Sequence, residues 1–192
     1  QIVFDATSAR AHIQHAPIIK KLGKFAIDMT PSRVGEMCIP VLNMEHAMGL
    51  KNVNMVTCGG QASVPIASAI MKVHPDTKYI EVVASIASRS AGPGTRNNID
   101  EYVQTTKDAV QKFSGVPRAK AIIVLNPAEP PILMHNTIYA LIDNPNLVEL
   151  EKEIIEMEKR ICKYVPGYKV VLGPIAENGR VTIMVEVSGR GD

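Results

Sequence analysis

The dipeptide Asn178-Gly179 constrains the fold more than any other feature of this sequence, because it lies between apolar runs at residues 168–172 and 181–187. Asn-Gly between apolar runs is the strongest short-range signal of a β-hairpin, since both residues tolerate the positive φ angles of a type I′ turn. A hairpin here requires antiparallel strand pairing near the end of the chain.

The region before this hairpin alternates predicted strands with predicted helices. Residues 99–113 and 147–165 have apolar side chains at the helical period, and Pro166-Gly167 ends the second helix. A further helix is predicted over residues 63–73. The predicted strands are residues 53–56, 80–88, 121–125 and 132–141. Apart from the strand at residues 53–56, which lies at the boundary, these elements and the hairpin predict an α+β domain over residues 56–192, with its helices on one face of the sheet.

The first 55 residues show a different alternation. Residues 2–5, 25–28 and 39–42 are short apolar runs that predict buried strands, and residues 10–22 predict a helix that Gly23 ends. Short apolar strands alternating with helices are typical of a doubly wound parallel sheet. Because this half begins abruptly, we expect residues 1–55 to be the later part of a larger sheet.

Composition narrows the classes of function. The 192 residues are 46% hydrophobic, enough for a sizeable core, and 21 basic residues nearly balance 19 acidic ones. No basic face with interleaved aromatic residues indicates nucleic acid. No apolar run approaches the roughly 18 residues of a membrane span. We therefore expect neither a nucleic-acid nor a membrane partner.

The cysteines indicate the compartment. The chain has three cysteines, Cys38, Cys58 and Cys162, which are far apart in the sequence. An odd number of distant cysteines argues against a disulfide framework, and it predicts a reducing, cytoplasmic location. Neither these cysteines nor the five histidines have the spacing of metal ligands, so no metal site is predicted.

Cys58 is the candidate nucleophile, in the stretch Asn-Met-Val-Thr-Cys-Gly-Gly-Gln at residues 54–61. We expect the thiol near a helix N-terminus, with Ser63 as N-cap and Pro65 in the first turn. Partial positive charge there favours a thiolate, and the glycines would leave N–H groups free to bind an oxyanion. The alternative is a buried cysteine that only packs. Cys38 and Cys162 are expected to be inert.

A second glycine-containing loop, Ser-Arg-Ser-Ala-Gly-Pro-Gly-Thr-Arg-Asn, spans residues 88–97 between a predicted strand and a predicted helix. Its hydroxyls, arginines and backbone N–H groups suit an anion such as a pyrophosphate, while a solvated turn is the alternative. The loop at residues 126–131 is stiff, and either fixes the position of Glu129 or simply ends a strand. His135 follows, and a lone histidine there is more often a hydrogen-bonded partner than a base.

Four stretches together resemble the acylating acetaldehyde dehydrogenase family, the partner of 4-hydroxy-2-oxovalerate aldolase in bacterial degradation of aromatic compounds. They are residues 2–9, 54–62, 88–100 and 126–131, and the resemblance extends over essentially the whole chain. It implies an α/β fold with an incomplete dinucleotide-binding (Rossmann-type) half. A catalytic and dimerisation domain similar to the C-terminal domain of glyceraldehyde-3-phosphate dehydrogenase would follow.

The resemblance also implies a reaction in which acetaldehyde or a short-chain aldehyde, NAD and coenzyme A give acetyl-CoA and NADH. Cys58 would form a thiohemiacetal and then an acyl-thioester, from which coenzyme A takes the acetyl group. The implied partners are the aldolase and a second copy of the chain, in a homodimer. The loop implied to contact NAD consists of Ser90, Ala91, Gly92, Pro93, Gly94, Thr95, Arg96, Asn97 and Asn98.

The sequence departs from the family pattern in two respects. The Gly-rich fingerprint for the dinucleotide pyrophosphate and the closing Ala-Gly-Asn segment are missing, so we expect the chain to be a fragment. Family members also carry an acidic residue, proposed as a base, at the position that matches Asn136, and an amide takes no proton at neutral pH. A base would then be His135, Glu129 or a water, unless the helix N-terminus alone suffices.

Two other functions fit the same residues. One is a phosphorylating or semialdehyde dehydrogenase of similar architecture, which would need phosphate as acceptor or a site for a second charged group. The other is a dimerisation and partner-binding module without activity, built on the helix at residues 147–165 and the hairpin.

Overall fold

The computed structural model of the chain describes residues 1–189 and contains two β-sheets. The first sheet has four strands in the order β1-β2-β4-β3, and every neighbouring pair is parallel. This confirms the parallel sheet predicted from the alternation of strands and helices. The elements of this part are β1 (Ile2–Asp5), α1 (Ala9–Lys21), β2 (Phe25–Asp28), β3 (Glu36–Met37), α2 (Pro40–Met48) and β4 (Asn52–Asn54).

Two predictions for this part are wrong. The apolar run at residues 39–42 is not a strand, because Pro40 begins helix α2, where its missing N–H costs nothing. The short β3 precedes it. Strand β1 is also less buried than predicted, since the side chains of Ile2 and Phe4 are 59% and 66% exposed. Strand β1 lies at the edge of the sheet, and Phe4 borders an apolar cavity that also contacts Phe25 and Cys58.

The second sheet has five strands in the order β6-β5-β7-β9-β8. Strands β5 and β6 are parallel and the remaining pairs are antiparallel. The hairpin predicted at Asn178-Gly179 is confirmed, and both residues have positive φ angles, of 52° and 75°. The elements are α3 (Cys58–Val73), β5 (Tyr79–Ala87), α4 (Pro93–Arg96), α5 (Ile99–Ser114), β6 (Arg118–Asn126), β7 (Met134–Leu141), α6 (Leu147–Cys162), β8 (Tyr168–Glu177) and β9 (Arg180–Val187).

The main core lies between one face of this second sheet and helices α3, α5 and α6. Helix α3 is central, because it contacts α5, α6 and the sheet, and ten of its sixteen residues are buried. The burial of this helix fixes the position of its first turn. No helix within residues 1–189 is long and apolar enough to span a membrane.

A polar cluster joins the first sheet to α1. The carboxylate of Asp5 accepts hydrogen bonds from Thr7, and its Oδ2 lies 2.9 Å from His12 Nδ1 and 2.8 Å from His15 Nδ1. The His12 ring is fully buried, and its Nε2 lies 3.5 Å from Asp28 Oδ2. Burial alone would raise the pKa of Asp5, but its hydrogen bonds with Thr7, His12 and His15 hold that pKa well below its usual range.

Replacing Asp5 with Asn should weaken the acid sensitivity of folding. A carboxyl whose pKa is depressed in the folded state stabilises the protein above the pKa of an unfolded aspartate, about 3.9, and this contribution is lost as the pH falls below that value. Urea unfolding at several values between about pH 7 and pH 3 should show a steeper loss of stability for the unmodified chain. The exposed Asp143 provides a control, because Asp143→Asn should keep the steep loss.

Amide hydrogens of residues 1–50 should exchange faster than those of residues 58–189. The separate core cluster of the first part contains only three buried residues, Cys38, Ala47 and Val53, whereas the main core is far larger. Regions with few buried apolar contacts open at lower free energy. Hydrogen exchange followed by mass spectrometry measures the difference, and uniform protection across both parts would contradict it.

Candidate active site

Cys58 is the first residue of helix α3, and its side chain is exposed. The N-cap is Thr57, whose Oγ1 accepts a hydrogen bond from the Gly60 N–H at 2.8 Å. The prediction of Ser63 as N-cap is wrong, because Ser63 and Pro65 are buried inside the helix. The low helix propensity of the two glycines hides the true start in the sequence. The thiol therefore lies directly at the positive end of a 16-residue helix.

The glycines after Cys58 are required for close packing. A Cβ on Gly59 would lie 2.2 Å from the Tyr102 hydroxyl and 2.9 Å from Ala84 Cβ, and one on Gly60 would lie 2.7 Å from a methyl of Val56. The Gly59 N–H donates to Tyr102 Oη at 3.0 Å, and the Gly60 N–H is taken by Thr57. The expectation that both N–H groups are free to bind an oxyanion is therefore wrong.

The backbone immediately before Cys58 is strained. Val56 is β-branched and buried, yet its φ angle is 61°, in the left-handed region. Its N–H donates to Asn54 Oδ1 at 3.0 Å, and the Asn54 amide donates to Asp28 Oδ2 at 2.7 Å and to the Thr30 carbonyl at 2.8 Å. Strain of this kind persists where surrounding contacts enforce it, and it is frequent at functional sites.

A polar recess of about 310 Å³ lies on one side of Cys58. The loop implied to contact NAD contributes Gly92, Gly94, Thr95 and Asn98 to its lining. The loop approaches β1 closely, since a Cβ on Gly94 would lie 3.3 Å from the Thr7 carbonyl. The ends of the first two strands add further polar groups, those of Thr7, Ser8 and Thr30.

The other five residues of this loop do not line the recess. Arg96 folds back onto the loop, where its guanidinium donates to the carbonyls of Ala91 and Ser88. Ala91 is buried, while Ser90, Pro93 and Asn97 are exposed.

Two apolar cavities contact Cys58 elsewhere. The smaller, of about 190 Å³, lies between α3, α6 and the second sheet. Its lining consists of Cys58, Gln61, Ala62, Met134, Ile161, Tyr164, Val165, Tyr168 and Val187. The larger, of about 550 Å³, faces the first sheet and α2. Neither lining contains a charged side chain.

Asn136 is fully buried against the first turns of α3. Its amide nitrogen donates to the Gly59 carbonyl at 2.9 Å and to Ser63 Oγ at 2.7 Å, while its Oδ1 has no hydrogen-bond partner among residues 1–189. Asn136 thus contacts the residue that follows Cys58, and its side chain there is an amide.

The structure does not bring His135 or Glu129 to Cys58. His135 and Asn136 are successive residues of strand β7, so their side chains lie on opposite faces of the sheet. His135 Nε2 lies 2.8 Å from Glu186 Oε2. Glu129 is exposed, and its Oε1 lies 2.9 Å from Arg89 Nε. Of the candidates for activating the thiol, a water and the helix N-terminus are the two that the geometry leaves.

The other cysteines lie in different surroundings. Burial raises the pKa of the Cys38 thiol, and burial together with the charge of Glu158 raises that of Cys162. The Cys162 thiol donates to the Tyr168 carbonyl. Both properties agree with the expectation that these two thiols are inert. Within residues 1–189, no cluster of three or more His, Cys, Asp or Glu side chains could hold a metal ion.

The sequence alone does not identify Tyr102 as a site residue, because it lies among the apolar positions of the helix predicted over residues 99–113. The hydroxyl lies 3.6 Å from Cys58 Sγ, although the residue is almost entirely buried. The sequence signal was weak: Thr105 and Thr106 follow one turn later, and a polar cluster on an otherwise apolar helix face needs a partner.

The family comparison agrees with this geometry. A family model described as prokaryotic acetaldehyde dehydrogenase, dimerisation, matches residues 58–192, which begin at the exposed cysteine. The chain belongs to this family. Proteins named acetaldehyde dehydrogenase are 55% identical in Pectobacterium atrosepticum and 54% identical in Carboxydothermus hydrogenoformans, over 100% of the chain in both cases. The chain spans 65% and 64% of the length of these relatives.

Solved structures share the fold of this family member. Aspartate semialdehyde dehydrogenase II from Vibrio cholerae matches with a TM-score of 0.65 at 12% identity, over 97% of this chain and 74% of that one. The Candida albicans aspartate semialdehyde dehydrogenase, solved with NADP, matches with a TM-score of 0.63 at 11% identity, over 97% and 72%. These neighbours confirm the α/β fold predicted for this chain.

Replacing Gly59 with Ala should destabilise the chain and displace Tyr102. The added Cβ overlaps both the Tyr102 hydroxyl and Ala84, and overpacking of this kind costs about 1–3 kcal/mol. Urea unfolding should show this loss. Gly92→Ala is the matched control, because no atom lies within 4 Å of a Cβ at that position, and it should stay within about 0.5 kcal/mol of the unmodified chain. Equal stability of the two variants would contradict the contact.

Proposed function

We propose that this chain carries the catalytic part of an acylating aldehyde dehydrogenase, which converts acetaldehyde, NAD and coenzyme A into acetyl-CoA and NADH. The observation that carries the proposal is the position of Cys58. It is an exposed thiol at a helix N-terminus, with a polar recess on one side and an apolar cavity on another. The names of the relatives support the same activity.

In the proposed reaction, the Cys58 thiolate attacks the aldehyde carbon, and the carbonyl π electrons move to the oxygen to form a thiohemiacetal oxyanion. Loss of hydride from the same carbon gives an acyl-thioester on Cys58. The thiolate of coenzyme A then attacks this thioester and releases acetyl-CoA with a free Cys58 thiolate. Dividing the reaction at a covalent intermediate replaces one difficult step with two easier ones.

The polar recess fits the reactive part of a nicotinamide cofactor. Thr95 and Asn98 from the loop, with Thr7, Ser8 and Thr30 from the ends of two parallel strands, surround it with hydroxyl and amide groups. Ligands of α/β folds bind at the carboxyl ends of the strands. NAD, when bound, accepts the hydride. The chain's own contribution is to hold the cofactor beside Cys58 and to exclude water from this side of the sulfur.

The smaller cavity fits the alkyl group of a short aldehyde. Its volume of about 190 Å³ and its lining without charged side chains favour an unsubstituted chain over one that carries a carboxylate or a phosphate. This distinguishes the proposal from a semialdehyde or phosphorylating dehydrogenase. The similarity to aspartate semialdehyde dehydrogenases, at 12% identity, concerns the fold alone.

We further propose a homodimer that forms through the face of the second sheet opposite the helices. A row of directly paired, half-buried residues crosses all five strands on that face. The row consists of Ile122, Val83, Thr137, Met184 and Leu172. A sheet face that has such side chains, and on which no helix of the described part of the chain packs, is suited to self-association. The description of the family as a dimerisation domain supports this.

Three properties of the proposed enzyme rest on the family resemblance. These are its partnership with 4-hydroxy-2-oxovalerate aldolase, its place in the catabolism of aromatic compounds, and its division into a dinucleotide-binding part (residues 1–55) and a catalytic part (residues 56–192). The cytoplasmic location is proposed from the free cysteines.

Incubation of the chain with acetyl-CoA should acetylate Cys58. The acyl-transfer step runs in reverse without NAD, so the thiolate attacks the thioester of acetyl-CoA and releases coenzyme A. Intact mass spectrometry should show one acetyl group, mapped to Cys58 by peptide analysis and missing in Cys58→Ala. Cys38 and Cys162 serve as internal controls and should remain unmodified.

Acetylation that persists in Cys58→Ala, or that distributes equally over the three cysteines, would contradict an activated nucleophile at this position. Propionyl-CoA should react at a comparable rate, because the 190 Å³ cavity has room for an additional methylene group. Succinyl-CoA carries a carboxylate into the uncharged cavity and should react much more slowly.

A further inference from the structure

Tyr102 reaches the nucleophile from a different helix. It lies in the first turn of α5, and its hydroxyl lies 3.6 Å from Cys58 Sγ and 3.0 Å from the Gly59 nitrogen. The residue is 5% exposed and also lines the polar recess, so its phenol needs hydrogen-bond partners at this position. The side chain approaches this closely only because residue 59 has no Cβ.

The hydrogen bonds around Tyr102 determine which proton is left for the sulfur. The Thr106 hydroxyl donates to the Tyr102 carbonyl at 2.7 Å. Because that proton is engaged, the 2.7 Å contact between the Thr57 and Thr106 hydroxyls requires Thr57 to be the donor. Thr57 Oγ1 also accepts from the Gly60 N–H, and Tyr102 Oη accepts from the Gly59 N–H.

The phenolic proton of Tyr102 is therefore the remaining donor of this cluster. Cys58 Sγ and Thr57 Oγ1 are the acceptors near it, and an anionic thiolate is the stronger acceptor of the two. Burial raises the pKa of Tyr102 well above its ordinary value, and the charge of Cys58 and the hydrogen bond between the two side chains raise it further. The phenol thus keeps its proton throughout the physiological range and remains a donor.

We infer that Tyr102 is a catalytic residue, whose hydroxyl donates a hydrogen bond to the Cys58 thiolate and thereby stabilises and orients the attacking sulfur. The inference rests on the proposed function for the role of Cys58 as nucleophile. No proton is transferred between Tyr102 and Cys58 in this interaction. The bond is strongest to the anionic sulfur and weakens once the carbon–sulfur bond forms.

This role accounts for a site in which, among residues 1–189, no His, Asp or Glu lines the three cavities that contact Cys58. Asn136 accepts no proton, and neither His135 nor Glu129 contacts the thiol. A donor that stabilises the anion, added to the N-terminus of α3, lets the thiol lose its proton to solvent instead of to a dedicated side chain.

The test is the pH dependence of Cys58 alkylation by iodoacetamide in the unmodified chain and in Tyr102→Phe, with rates measured by peptide mass spectrometry. Phe keeps the buried ring and removes only the hydroxyl. We expect the midpoint of the rate profile to move to higher pH by about one unit, with alkylation near neutral pH slower by about tenfold. Tyr79→Phe, which removes a hydroxyl bonded to Glu81 instead, is the matched control and should keep the original profile.

A second measurement separates donation from packing. Incorporation of 3-fluorotyrosine at position 102 makes the phenol a stronger donor at almost constant shape, and should move the midpoint to lower pH. A purely structural role predicts no movement in this direction. Circular dichroism of each variant establishes that the fold is retained.

An unchanged profile in Tyr102→Phe, with Cys58 reactive in both proteins, overturns the role of Tyr102 and leaves the proposed function intact. A Cys58 that reacts no faster than Cys38 and Cys162 in the unmodified chain, and takes no acetyl group, overturns both. A shift in opposite directions for the two variants at Tyr102 establishes the hydrogen bond.

Discussion

The packing of the first turn of helix α3 is the interaction on which the rest of the site depends. Side chains from three other elements hold this turn: Tyr102 from α5, Asn136 from β7 and Thr57 from the approach to the helix. Each of them bonds to the backbone of Gly59 or Gly60. The two glycines are therefore fixed by contacts that a larger residue would not permit, and the sulfur before them is held on a rigid base instead of a loop.

The same turn joins the two sheets. Gln61 donates hydrogen bonds to the carbonyls of Cys38 and Met55, which belong to the parallel-sheet part, while the rest of α3 packs against the second sheet. The polar recess likewise takes its lining from both parts, since the loop before α5 faces the ends of β1 and β2. A cofactor in this recess would contact both parts of the chain, so binding would couple their relative positions.

Local patterns in the sequence predict most elements of this fold, because they reflect side-chain period and turn chemistry. The hairpin at Asn178-Gly179 and the amphipathic helix α6 are examples, and their signals lie within a few residues. The sequence predicts the start of α3 five residues too late, because Gly59 and Gly60 are poor helix formers and tertiary contacts hold them in the helix. The sequence predicts a strand at Pro40 where the structure has a helix, because a four-residue apolar run does not distinguish the two.

In the candidate site too, some residues can be predicted from local sequence and others depend on tertiary packing. Cys58 and the glycine loop are identifiable from local sequence and from family resemblance, whereas Tyr102 is 44 residues away from Cys58 and meets it only through the packing of α5 on α3.

The open face of the second sheet has a geometric consequence for the proposed dimer. Cys58 lies on the helix side of the sheet, so two copies joined back to back would direct their active sites outward. Each Cys58 thiol would then be reached from outside the dimer, without crossing the interface between the two copies.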